Sequence, residues 1–176
     1  MDTTEFFTRV LPSTGYYVAT VINPDRRAQK SYETIDALSN AVIRIDISGS
    51  NVYYAMSSFH EAGSRKQINV AKTKALFIDI DCGEDKPFAD QREGAKALKT
   101  FLKDSGLPPP MIVNSGRGLH VYWPLTEELE PVDWQPLANA LKECAVHHGF
   151  EIDPAVTADS ARVLRPLGTH NPKNGA

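Results

Sequence analysis

The sequence predicts an α+β fold built on an antiparallel sheet with helices against it, and three observations carry that prediction. Periodicity from residue 76 onward gives the order strand, helix, strand hairpin, helix, strand. The leading strand, Leu76-Phe77-Ile78-Asp79-Ile80-Asp81, alternates with period two, so Asp79 and Asp81 share one face while Ile78 and Ile80 take the other. The chain has 176 residues, enough for one substantial core or one domain with two lobes.

Taken in order, residues 2–11 suit a short amphipathic helix carrying Phe6, Phe7 and Val10, ended by Pro12. Tyr16 to Ile22 reads as a strand closed by the turn Asn23-Pro24-Asp25. Ser31 offers an N-cap for a helix to about Val42, although Val42 to Ile47 could equally begin a strand. Val52 to Phe59 follows as a strand, and the basic stretch Arg65 to Lys74 reads as a loop. Pro87 can open a helix that runs to Lys103, carrying Ala95, Leu98, Phe101 and Leu102 at helical spacing. Met111–Asn114 and Leu119–Trp123 form a hairpin around a glycine turn. Trp134 to His148 is a helix with Leu137, Leu141 and Cys144 on one side and Gly149 as its stop. Phe150 to Asp153 reads as a last short strand. Helices on one face of such a sheet give an RNA-recognition-type arrangement.

Composition excludes several classes. Apolar residues at 41% and charged residues at 23% are ordinary for a soluble domain, and no apolar run approaches the ~20 residues of a membrane span. The start shows no basic segment followed by an apolar one, so a cytoplasmic location without membrane contact is expected. Cys82 and Cys144 lie far apart with no Cys-x-x-Cys, which argues against disulfides and against a zinc site. A net charge of -3 is not that of a uniformly basic nucleic-acid binder. Basic residues nevertheless gather at Arg26, Arg27 and Lys30, at Arg65, Lys66, Lys72 and Lys74, and at Arg162, Arg165 and Lys173.

Two segments join the Asp-x-Asp strand as candidate chemistry. Aspartates about 7 Å apart along a strand repel, and one or two divalent cations compensate them most simply. Ser115-Gly116-Arg117-Gly118-Leu119-His120 lies between two strands, so it is neither a P-loop nor a dinucleotide fingerprint. Gly116 and Gly118 let backbone N–H groups approach an anion, Ser115 and Arg117 add donors for phosphate oxygens, and alternation puts His120 on the face of the aspartates. Asp153 is a third candidate carboxylate, with Asp159 competing for that role. The run that follows carries Arg162, Arg165 and Gly168-Thr169-His170-Asn171-Pro172-Lys173.

In this order the motifs resemble the archaeo-eukaryotic primase superfamily, especially the primase-polymerase domains of phages and plasmids. The resemblance covers about residues 76–173 by motif and the N-terminal part more loosely. It implies a two-lobed catalytic core in a single domain, with a smaller N-terminal α/β lobe at 1–70 and an RRM-like antiparallel sheet at 71–176. It implies that Asp79, Asp81 and Asp153 hold two Mg²⁺ or Mn²⁺ ions, and that Ser115, Gly116, Arg117, Gly118 and His120 contact the phosphates of an incoming NTP or dNTP. Arg162, Arg165 and Lys173 would line the nucleotide or template path. The implied partners are a single-stranded DNA template and a primer, with a helicase in the same longer chain or in trans. The sequence departs from many members in lacking a zinc-binding cysteine set, so no zinc is expected. It also stops at Ala176, where relatives commonly continue into a helical region.

The implied reaction is nucleotidyl transfer, which rests on positioning and charge stabilisation. Two other classes compete. A haloacid-dehalogenase-like phosphatase also has an apolar strand ending in Asp-x-Asp, but it needs Thr or a similar residue shortly after, where this chain has Cys82-Gly83-Glu84. A non-catalytic RRM-like module for single-stranded nucleic acid would need exposed sheet aromatics, for which Phe77 and Tyr122 are the candidates.

Overall fold

A computed structural model describes residues 1–171, so Lys173 lies outside the described residues. The chain opens with helix α1 (Thr3–Val10), whose first turn is capped by the Asp2 carboxylate accepting the Glu5 amide at 2.8 Å. Strands β1 (Tyr17–Ile22) and β2 (Arg27–Tyr32) follow, then helix α2 (Ile35–Ile47) and strands β3 (Val52–Ala55) and β4 (Ser57–Phe59). A single 3₁₀ turn (Gln67–Asn69) leads into the long strand β5 (Val70–Asp81) and helix α3 (Gln91–Ser105). Strands β6 (Met111–Asn114) and β7 (Gly118–Leu129) precede helices α4 (Pro131–His147) and α5 (Pro154–Thr157), and strand β8 (Val163–Leu164) completes the described elements.

These elements form two four-stranded antiparallel sheets, ordered β2-β1-β3-β8 and β4-β5-β7-β6. Strands are exchanged between the two stretches of chain. β4 leaves the first stretch to pair with β5, and β8 returns from the far end to pair with β3. What reads as one strand from Val52 to Phe59 is therefore broken at Met56, whose amide donates to the Arg162 carbonyl at 2.9 Å, and each half joins a different sheet.

Other boundaries differ from the sequence expectation for local reasons. Ser31 lies in β2, and Thr34 caps α2, which continues to Ile47. Strand β5 starts at Val70, inside the stretch read as a loop, and Asp90 rather than Pro87 begins α3 by accepting the Arg92 and Glu93 amides. Helix α4 buries Trp134, Ala138, Leu141 and Ala145, while Leu137 is exposed. Residues 150–153 form no strand; Asp153 caps α5, with Pro154 at its first position.

One apolar cluster fills the space between the sheets. It joins Phe6, Phe7 and Val10 of α1 to Leu38, Val42, Tyr54, Phe77, Tyr122 and Trp134. A second lies on the other side of β5 and β7 and joins Ile78, Ile80, Leu119 and Val121 to Leu98 and Phe101 of α3 and Leu141 and Ala145 of α4. The second sheet is thus covered on both faces, not on one. Phe77 and Tyr122 are fully buried beneath Phe6 and Trp134, so neither is available to stack on a base. Cys82 and Cys144 are free thiols, and among the described residues no helix is long and apolar enough to cross a membrane.

Candidate active site

The site forms where β5 and β7 emerge from beneath the inter-sheet core. Along one face the cross-strand pairs run Phe77 with Tyr122, Asp79 with His120 and Asp81 with Gly118. The same period-two stripe is apolar under α1 and acidic one pair further on. The close approach depends on Gly118, where a Cβ would collide with the Ile80 carbonyl oxygen. Gly116 turns the chain at φ +91, and a Cβ there would come within 2.7 Å of Asn171 Cβ.

The turn between β6 and β7 is held from several sides. Ser115 N–H donates to the Gly118 carbonyl at 3.0 Å, and Asn114 Oδ1 accepts from Gly116 N–H at 2.7 Å and Gln91 Nε2 at 2.8 Å. Asn171 Nδ2 donates to the Ser115 carbonyl at 3.1 Å. Ser115 and Arg117 line a cleft of about 240 Å³ with Asp79, Asp81, His120, Lys86, Tyr53, Arg165 and Asn171. A second cavity of about 490 Å³ adjoins it through Asp81, Lys86 and Arg117, and extends along Gly116, Asp90 and Gln91.

Burial dominates the electrostatics. The Asp79 carboxyl is pushed up to about 7, first by burial and then by Asp81 and Asp153, against the opposing charges of Arg162 and Lys86. His120 is 5% exposed and is pushed down to about 4, mainly by burial, so it is neutral at pH 7. Its Nε2 lies 3.7 Å from Asp79 Oδ1, a contact between a neutral ring and a carboxyl group rather than an ion pair. Its Nδ1 lies 3.3 Å from the Tyr122 hydroxyl. Asp81 is paired with Lys86 at 2.8 Å.

The two candidates for a third carboxylate have different surroundings. Asp153 lies beside Asp79, its amide 3.5 Å from the Asp79 carbonyl oxygen, while its carboxylate accepts the Ala155 and Val156 amides of α5. Asp159 is engaged by Gln67 Nε2 at 3.1 Å and the Ala161 amide at 2.9 Å. Among the described residues no three His, Cys, Asp or Glu side chains are gathered to hold a metal ion. Asp79 and Asp81 fit a divalent cation by chemistry. They are adjacent hard oxygen donors on one face, and burial makes the unneutralised charge of Asp79 costly. Asp153 could join them by releasing its cap.

Arg165 is a buried pin, 4% exposed. It donates to Asn51 Oδ1 at 2.8 Å, the Tyr53 hydroxyl at 3.1 Å and the His170 carbonyl at 2.7 Å, with its guanidinium 4.9 Å from the Tyr53 ring centre. His170 is in turn held by Asp46, with its ring Nδ1 2.8 Å from Oδ2. Arg165 also lines the cleft and hydrogen-bonds His120 through its backbone; the charge of Arg162 acts on Asp79 and, after that of Arg165, on His120. Sequence reasoning missed Lys86, Tyr53 and Asn51, and it read Asn114 and Asn171 only as members of their motifs, without a role of their own. A lysine five residues past Asp81 was an available signal; Tyr53 and Asn51 carry no motif.

The whole chain has known relatives. Residues 2–166 match the family model described as "LigD, primase-polymerase domain". A replication protein of Clostridium perfringens is 26% identical over 164 residues, 92% of this chain and 38% of that protein. The multifunctional non-homologous end joining DNA repair protein LigD of Mycobacterium tuberculosis is 25% identical over 140 residues, 80% of this chain and 18% of that protein. The chain thus spans well under half of these relatives' length. In fold it is similar to the AEP domain of the cyanophage S-2L primase-polymerase, with a TM-score of 0.62 at 19% identity over 93% of this chain and 78% of that one. It is also similar to the catalytic domain of primase RepB′, solved with initiator DNA, with a TM-score of 0.58 at 14% identity over 99% of this chain and 81% of that one. From the family match over residues 2–166, with the fold in agreement, the chain belongs to the LigD primase-polymerase domain family.

Proposed function

We propose that the chain catalyses template-directed nucleotidyl transfer to a DNA or RNA primer end, as one catalytic unit whose lobes are residues 1–70 and 71–176, with β8 crossing back to the first sheet. The observation that carries this is the register of β5 on β7. It sets Asp79 opposite His120 and Asp81 opposite Gly118, so the carboxylate pair and the Ser115–Arg117 turn open into one cleft. An RRM-like binding module is less well supported, because its sheet aromatics are buried.

In the reaction a primer 3′-oxygen forms a bond to the α-phosphorus of a nucleoside triphosphate, the bond to pyrophosphate breaks, and the hydroxyl proton leaves to solvent. Asp79 and Asp81, with Asp153, would hold Mg²⁺ or Mn²⁺. Such ions, when bound, activate the hydroxyl and offset charge on the leaving group. The chain's own groups orient the nucleotide. Ser115 and Arg117 donate to phosphate oxygens, and the glycines keep the backbone close enough for amide contacts. Neutral His120, across the strands from Asp79, offers a donor without adding charge. Arg165 keeps Tyr53 fixed at the cleft wall.

The test is extension of a primed single-stranded template, and of the same template without primer, with Mg²⁺ or Mn²⁺ and either NTPs or dNTPs. Wild-type protein extends and the Asp79→Asn, Asp81→Asn double variant does not. Equal extension by a folded double variant overturns the assignment.

A further inference from the structure

Gly94 lets helix α3 sit close against the second sheet. A Cβ there would lie 3.1 Å from Ile80 Cγ2 and 3.2 Å from Cys82 Sγ, so the first turn of α3 rests on the end of β5 that carries the aspartates. That turn is also fixed from within. Asp90 accepts the Arg92 and Glu93 amides at 2.8 and 2.9 Å, and the Glu93 carboxylate reaches back to the Ala89 amide at 2.7 Å. Gln91, the first residue of α3, is half-buried and projects from this rigid turn onto the chain between β6 and β7.

Gln91 Nε2 donates to two oxygens at once, Asn114 Oδ1 at 2.8 Å and the Gly118 carbonyl at 3.2 Å. Those two residues stand at the two ends of the Ser115–Arg117 turn. Asn114 Oδ1 also accepts the Gly116 amide at 2.7 Å, and since both of its donors require an oxygen, they set the orientation of the Asn114 side chain. One side-chain amide of α3 therefore clamps the base of the turn whose Ser115 and Arg117 line the cleft. The loop after Asp81 returns through Gln91 to Gly118, the cross-strand partner of Asp81. The turn is thus tied to the carboxylate strand twice. Gln91 itself lines the adjoining cavity and not the cleft, so it acts on the cleft through the turn.

We propose that Gln91 is a positioning residue for nucleoside triphosphate binding, holding the Ser115–Arg117 turn at the spacing from Asp79 and Asp81 that a triphosphate must bridge. The identity of the ligand rests on the nucleotidyl-transfer reading; the clamp does not. Spacing matters here because a displacement of about 1 Å from a productive geometry can cost about a hundred-fold. Two substitutions separate the clamp from the fold. Gln91→Met keeps the length and removes the donor without adding charge. Gln91→Glu keeps the shape but presents a carboxylate to the Asn114 and Gly118 oxygens, while a negative charge in the first turn of α3 favours the helix.

The experiment measures primer extension against nucleotide concentration for wild type and both variants, with thermal unfolding and NMR-detected hydrogen exchange of the Gly116 and Ile80 amides in metal-free protein. In Gln91→Met the KM for nucleotide rises at least about ten-fold with kcat within about three-fold. Its Gly116 amide exchanges at least about ten-fold faster while that of Ile80 is unchanged. In Gln91→Glu the KM rises by as much or more, although the melting temperature is held or raised, an opposition that a merely structural residue does not give. A KM for Gln91→Met within about two-fold of wild type overturns the proposal. So does a raised KM with Gly116 exchange unchanged, because the turn has then not been released. If wild type neither extends a primer nor binds nucleotide with Mn²⁺, the transferase reading fails. Faster Gly116 exchange in Gln91→Met then leaves the clamp standing, and unchanged exchange removes it as well.

Discussion

Asp79 and His120 face each other directly across two paired strands, 3.7 Å apart, with their proton affinities moved in opposite directions. In metal-free protein this gives two opposed pH dependences. Asp79 is raised in the folded state from 3.8 to about 7, so folding binds its proton and its contribution to stability falls as pH rises through that window. His120 is lowered from 6.5 to about 4, so its contribution rises between those values. Urea denaturation in chelator should show Asp79→Asn gaining stability relative to wild type from pH 4 to 7, by about 4 kcal/mol at most. His120→Gln should show the reverse trend up to pH 6.5, by about 3 kcal/mol at most.

Gly118→Ala should damage fold and site together. Its added carbon meets the Ile80 carbonyl, so β5 and β7 must part where the carboxylates sit. A stability loss above about 2 kcal/mol by denaturant melting, with loss of metal-dependent nucleotide binding, is the expected result. Gly149→Ala, at φ +63 with open space around it, should cost only about 1 kcal/mol and leave binding intact.

Lys86→Met tests the counter-charge on Asp81. The pair is 2.8 Å apart and both side chains are nearly half exposed, so the melting temperature should change little. Divalent-cation affinity without nucleotide should rise several-fold, because a competing ammonium is gone. Triphosphate affinity should fall. Calorimetric titration reads both.

Asp153→Asn divides two roles. Asparagine caps a helix about as well as aspartate, so stability should hold within about 0.5 kcal/mol. Primer extension should fall by at least ten-fold if the charge serves the carboxylate set. Asp159→Asn, whose acid serves Gln67 and Ala161, should leave extension within about two-fold.

Arg165→Lys should act on the fold first. Lysine cannot reproduce the fork that reaches Asn51, Tyr53 and His170 at once, and about 2–4 kcal/mol of stability should be lost. Thermal unfolding measures it.

The acidic strand and its partner hairpin were legible because alternation is strict: once Ile78 and Ile80 are core, Asp79, Asp81 and His120 must share the other face. Where polar side chains occupy strand positions, pattern failed. In β5, Lys72 reaches Glu128 at 3.7 Å and Lys74 donates to the Thr8 carbonyl at 3.0 Å, so two lysines sit in a strand without apolar alternation. β2 is an edge strand with the sequence Arg-Ala-Gln-Lys-Ser-Tyr, and its pairing with β1 leaves no apolar signature. The break at Met56 depends on a carbonyl more than a hundred residues away. The cleft wall was hidden for the same reason, since Tyr53 and Asn171 reach the cleft, and Asn51 reaches Arg165, only through tertiary pairing.

That long-range pairing also orders events during synthesis. When β5 and β7 have left the ribosome, both carboxylates and the Ser115–Arg117 turn exist, but β3 still lacks β8 and Tyr53 lacks Arg165. Residues 163–171 must emerge before the wall is fixed, and distant contacts of this kind form slowly. A nascent chain therefore carries the acidic pair well before the residues that close the cleft wall have been made.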